Sequence, residues 1–329
     1  MKAALNFFLG IVAVKAFGAE TKFEDLVHQF DYDRKAPLNV REEKKEQRDG
    51  ATVVELFYDG ARVGSRVPAT LVIPASHPPF AAILYGHWMM PGSAFRNRGE
   101  FLDEAIFLAR SGAASLLTDA PVVRPGFVSE EEGLKSEIQN AEASRQQVID
   151  FRRGLDLLLG RRDIDSARIA FVGHSYNAHI GGILSGVEKR ICSFVLMAGV
   201  FADEEYIFDS TRTEVVQFRQ KIGDKALHDF FQQYAFDDPI HFIGHSAPAA
   251  VFLQFGQEDE GVPEKMARQY FAWFAQPKKI AFYKAGHALN AEAREDRVEW
   301  LVERLKLSKI DREAIERVPG LDREEKEKE

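Results

Sequence analysis

Ile169-Ala170-Phe171-Val172-Gly173-His174-Ser175-Tyr176-Asn177-Ala178 is the stretch on which the reading of this chain turns. Four apolar residues in a row predict a buried strand, and residues 176–184 carry apolar side chains at helical spacing. Only a sharp turn separates the two, and a chain forced through such a turn leaves the side chain at its apex clear of both elements. That side chain is Ser175. Little bulk is tolerated beside the apex, which suits Gly173. Asn177 is larger than the glycine usual two residues after such a serine, so it predicts either a helix set further from the strand or local crowding.

On either side of this stretch, apolar strand-like runs alternate with helical segments. Residues 81–85 and 113–117 read as strands flanking a helix over 101–109 that stops at Gly112, and residues 141–159 read as a long amphipathic helix. Beyond the turn, 194–197, 251–255 and 280–283 read as strands, with helices over 263–274 and 294–305. Strands apolar at every position, alternating with helices, predict an α/β fold: a mostly parallel twisted sheet with helices on both faces and its site at the carboxyl ends of the strands. Residues 52–58 and 66–73, joined at Asp59-Gly60, predict an antiparallel opening.

Residues 201–248 break the alternation with a helical, aromatic-rich insertion containing Tyr206, Phe208, Phe218, Phe230, Phe231, Tyr234 and Phe236. It reads as a small cap over the strand ends, its aromatics serving packing first and substrate contact second. The expected organisation is a signal peptide over 1–19, an N-terminal extension over 20–50, the main domain over 51–307, and a C-terminal helix with a charged tail over 308–329.

Composition narrows the classes. The chain has 329 residues, 45% hydrophobic and 29% charged, and a net charge of -8 without a long basic block, which argues against a nucleic-acid partner. Its single cysteine, Cys192, excludes an intrachain disulfide and a cysteine-built zinc site. Met1-Lys2, the apolar run 3–14 and the small residues Ala16, Gly18 and Ala19 predict an export signal and thus a secreted or periplasmic protein. No later segment offers the ~18 apolar residues of a membrane span. The acidic runs 130–132 and 203–205 read as solvated faces.

An isolated serine is a weak nucleophile and needs a base within hydrogen-bond reach, held by a third group. Gly256-Gln257-Glu258-Asp259 follows the strand 251–255, and Gly286-His287 follows the strand 280–283, so both side chains emerge at the same sheet edge as Ser175. Glu258 and Glu260 compete with Asp259, which sits at the tip of the turn before Pro263 restarts a helix. Each residue alone has an ordinary structural explanation; three strand ends agreeing in type and order point to Ser175, Asp259 and His287 acting together. Gly244-His245-Ser246 repeats the letters Gly-His-Ser, but Pro248 follows and the segment leads into a strand. His174 and His179 are weak candidates, and no helical His-Glu-x-x-His pattern occurs, so no metal is expected. Backbone N–H donors for a tetrahedral anion are expected from Tyr176 and from the loop after the strand 81–85, by His87 first and Trp88 second, with the His87 ring as an alternative substrate contact.

These features resemble the α/β-hydrolase superfamily, and within it the branch of dienelactone hydrolases, acetyl xylan esterase-like proteins and prolyl oligopeptidase-like catalytic domains. The resemblance spans roughly residues 52–306. It rests on the opening hairpin ending Leu71-Val72-Ile73-Pro74, on Asp165-Ser166-Ala167-Arg168-Ile169 leading into Gly173-His174-Ser175-Tyr176, on residues 256–263 and on Gly286-His287. It implies acyl transfer from a small ester to water through an acyl-enzyme on Ser175, with no cofactor. A serine peptidase and a noncatalytic binding protein on the same fold are the alternatives. Two positions depart from the pattern: Asn177, and Tyr85-Gly86 where many members carry His-Gly.

Overall fold

The computed structural model describes residues 22–321, apart from 63 and 130–132. The expected signal peptide, the acidic run 130–132 and the charged tail 322–329 lie outside the described residues. The other residues form one nine-stranded sheet in the order β1-β2-β3-β5-β4-β6-β7-β8-β9. β1 (Arg41–Arg48), β2 (Ala51–Asp59) and β3 (Arg66–Pro74) are antiparallel neighbours, and β3 pairs antiparallel with β5 (Ala113–Thr118). From there the sheet is parallel through β4 (Phe80–Gly86), β6 (Ile164–His174), β7 (Ser193–Met197), β8 (Ala250–Gly256) and β9 (Lys278–Tyr283).

The helices, in chain order, are α1 (Phe23–His28), α2 (Leu102–Ala109), α3 (Leu134–Leu159), α4 (Tyr176–Val187), α5 (Asp203–Asp209), α6 (Thr213–Ile222), α7 (Asp224–Gln233), α8 (Ile240–Ile243), α9 (Glu264–Trp273), α10 (Ala291–Leu305) and α11 (Arg312–Glu316).

The all-apolar inner strands have a direct cause. Side chains alternate across the sheet, and both faces are covered. Ile169 and Phe171 of β6 join Val148, Phe151 and Leu155 of α3 and Ile180 and Ile183 of α4 in one core. Ala170 and Val172 join Ile106 and Leu108 of α2 and Val298, Leu301 and Leu305 of α10 in the other. Each large side chain so buried contributes about 1.5–3 kcal/mol.

The structure adds to the sequence reading in two regions. The extension over 20–50 supplies β1 and places Leu26 and Phe30 in the core, so it packs as part of the domain. Nothing apolar marks β1, whose Arg-Glu-Glu-Lys-Lys-Glu-Gln-Arg is almost wholly exposed; it is an edge strand whose charges discourage further pairing. In the insertion, Phe230 stacks on Tyr234 and meets Phe231 edge-on, Tyr234 meets Phe236 at a tilt, and Phe236 packs edge-on against Phe30. Of the aromatics named for the cap, Tyr206 alone lines the cleft described below.

Candidate active site

Ser175 sits between β6 and α4 with φ 54° and ψ -111°, a conformation that costs a non-glycine residue of order 1–3 kcal/mol. The tight turn is held by the Ser175 N–H, which donates to Met197 O at 2.8 Å. Gly173 is obligatory, because a Cβ there would lie 2.2 Å from Asn177 O. Asn177 fits without displacing the helix because Gly86, level with Gly173 on the neighbouring strand, leaves the space its side chain fills.

β6, β8 and β9 bring the side chains of Ser175, Asp259 and His287 to one sheet edge. Ser175 Oγ donates to His287 Nε2 at 2.8 Å, and His287 Nδ1 donates to Asp259 Oδ2 at 2.8 Å. Asp259 is buried while Glu258 and Glu260 are exposed, and its Oδ1 accepts from the Gly261 N–H at 2.8 Å. Burial alone would raise the Asp259 carboxyl, but the hydrogen bond and charge of His287, together with the Gly261 and Val262 N–H groups, hold its pKa below the ordinary value. An anionic Asp259 fixes the proton on Nδ1 and leaves Nε2 free to accept from Ser175.

The loop after β4 is built around His87. Its ring is buried, Nδ1 donating to Trp88 O at 2.7 Å and Nε2 accepting from the Ala120 N–H at 3.0 Å. Burial pushes the His87 pKa down, in keeping with this neutral ring. The ring therefore points inward and is not a substrate contact. Trp88 N–H, the second expected anion donor, is committed to Glu100 Oε2 at 2.5 Å and is not available. The N–H groups of His87 and Tyr176 make no hydrogen bond among the described residues. Tyr176 opens α4, where helix geometry leaves the first N–H groups without an internal acceptor.

Sequence reasoning passed over a second buried chain. Glu100 Oε1 lies 2.7 Å from His174 Nδ1, and His174 Nε2 donates to His287 O at 2.9 Å. His174 stacks between Trp88 and His287. Glu100 thus ties the loop after β4 to the loop carrying His287. Its sequence position, in a loop between two apolar segments, gives no sign of this.

Ser175 and His287 open onto a cleft of about 530 Å³ whose walls include Met89, Arg96, Val200, Tyr206, Arg212 and Val262. Its floor is acidic. His179, one turn along α4 from Ser175, lies 3.5 Å from both Asp203 and Asp237, which belong to the insertion. Burial opposes charge on His179, but the two carboxylates outweigh it and raise its pKa well above the ordinary value. The three donor atoms lie within 4.8 Å of one another. A protonated imidazole between two carboxylates is already an ion triad, joining cap to core. Asp203, expected on a solvated face, faces the cleft instead.

No family model matches the sequence, and no curated protein matches it. Solved structures do. An acetyl xylan esterase from Paenibacillus sp. R4 superposes with a TM-score of 0.71 at 17% identity, over 86% of this chain and 93% of that one. This chain has the α/β-hydrolase fold. Acetyl xylan esterase 1 from Thermoanaerobacterium sp. JW/SL YS485 gives a TM-score of 0.69 at 14% identity, over 85% of this chain and 93% of that one. Prolyl oligopeptidase B from Galerina marginata gives 0.59 at 17% identity, over 79% of this chain but 37% of that one. The α/β-hydrolase fold, with its mostly parallel sheet and helices on both faces, is the architecture the sequence predicts.

Proposed function

We propose that this chain is a serine hydrolase that cleaves the ester of a small molecule through an acyl-enzyme on Ser175. The observation that carries the reading is the unbroken hydrogen-bond chain from Ser175 through His287 to buried Asp259, opening on a cleft. Ser175 Oγ attacks the ester carbonyl as its proton passes to His287 Nε2, and Asp259 stabilises the resulting imidazolium. The negative charge gathering on the carbonyl oxygen is met by the N–H groups of His87 and Tyr176. As the intermediate collapses, the C–O bond breaks and His287 returns the proton to the leaving alcohol. Water, deprotonated by the same nitrogen, then releases the acid and restores Ser175.

The acetyl xylan esterases among the similar structures support an ester over an amide, and the residues 1–19 support action outside the cytoplasm. The test is turnover of p-nitrophenyl acetate, butyrate and octanoate alongside aminoacyl anilides. Ester turnover without anilide turnover is expected. Anilide turnover would replace the reading with a peptidase, and a folded but inert protein would replace it with a binding role.

A further inference from the structure

Asn177 stands where this kind of turn usually has glycine, and its amide is spent on the loop after β4. Asn177 is fully buried, and its Nδ2 donates to His87 O at 2.6 Å. That carbonyl and the Trp88 N–H belong to one peptide unit, whose other end donates to Glu100 at 2.5 Å. A peptide gripped at both ends cannot rotate. On the other side of His87, Gly86 is held in the β4–β6 ladder. Together with the ring, which is fixed to Trp88 O and the Ala120 N–H, these contacts determine where the His87 N–H points.

Packing is built to admit this clamp. A Cβ on Gly86 would lie 2.5 Å from Asn177 Cβ, so glycine at 86 and asparagine at 177 are complementary in shape. Asn177 Oδ1 is buried without a partner. A buried amide satisfied at one end sets a desolvation cost against its single hydrogen bond, so stability alone gives no reason for it. Resting on the hydrolase reading above, we propose that Asn177 is a positioning residue: through the His87 carbonyl it sets the angle at which the His87 N–H meets the oxyanion. The residue that departs from the usual turn thereby does work for the reaction from the first turn of α4.

Two variants separate this from plain packing. Asn177→Leu fills the slot without a donor, and Asn177→Ala removes the donor and most of the bulk. Active sites are titrated with a fluorophosphonate, and kcat per titrated site, KM for p-nitrophenyl acetate and inhibition by phenylboronic acid, a tetrahedral mimic, are measured. The expected result is a fall in kcat per site of about 10- to 100-fold, as for a small misplacement of a catalytic group, with boronate affinity falling by a similar factor and KM changing little. Wild-type values per titrated site in whichever variant folds, even with fewer titratable sites, would overturn the clamp while leaving the hydrolase reading intact. A wild-type protein inert to every ester would overturn both.

Discussion

Gly173-His174-Ser175 and Gly244-His245-Ser246 are the same three residues in one chain, and they end in opposite circumstances. Ser175 has positive φ and hands its hydroxyl hydrogen bond to His287. Ser246 is fully buried with an unpartnered hydroxyl, its N–H directed at Ile243 O as α8 ends. His174 is buried between Glu100 and the His287 carbonyl, whereas His245 is exposed and stacks on Phe23 at 3.7 Å between ring centroids. The flanks make the difference. The first triplet leaves a parallel strand at its carboxyl end, where the neighbouring strands deliver Asp259 and His287; the second precedes β8 and so lies at the amino end, where sites do not form.

Breaking each triplet in turn tests this contrast. The largest effect is expected at the serines. Ser175→Ala lowers kcat/KM for p-nitrophenyl acetate about 10⁴-fold or more, whereas Ser246→Ala stays within about twofold and leaves the melting temperature unchanged or slightly raised, since it removes an unpaired buried hydroxyl. The histidines come next. His174→Gln lowers kcat about 10- to 100-fold by releasing the His287 carbonyl, while His245→Gln changes it by no more than about twofold. Steady-state rates at equal concentrations of folded protein check both pairs.

A smaller effect is expected one turn beyond the first triplet, at His179. Its pKa is raised in the folded protein, so its contribution to stability is full below its unfolded value of about 6.5 and is lost as pH rises through the folded value. Thermal unfolding of wild type should therefore show a decline on the alkaline side. His179→Gln should be less stable at pH 6 and should lose that part of the decline. Parallel profiles for the two proteins would show that the ion triad does not hold the cap.

Much of this was legible because the fold writes itself as period and order. Buried parallel strands are apolar throughout, and the turn after 169–172 is bounded by a glycine and a helix, so β6, α4 and the positions of Asp259 and His287 could be read directly. What escaped was set by tertiary contact. β1 has no apolar pattern, because an edge strand gains its hydrogen bonds from β2 and shows its side chains to water. Glu100, Asp203 and Asp237 are acids in irregular or polar segments, and nothing local distinguishes a carboxylate aimed at a histidine from a solvated one. Asn177 was visible as a departure, but its meaning depended on Gly86, 91 positions earlier in the chain and adjacent only across the sheet.

The central claim is that Ser175, activated by His287 and Asp259, is the nucleophile. Its most direct test is to treat the folded protein with a fluorophosphonate and locate the adduct by peptide mass spectrometry. A single phosphonylated serine at 175, absent in Ser175→Ala and never on Ser246, is the expected result. A folded protein that remains unlabelled, or one labelled elsewhere, would contradict it.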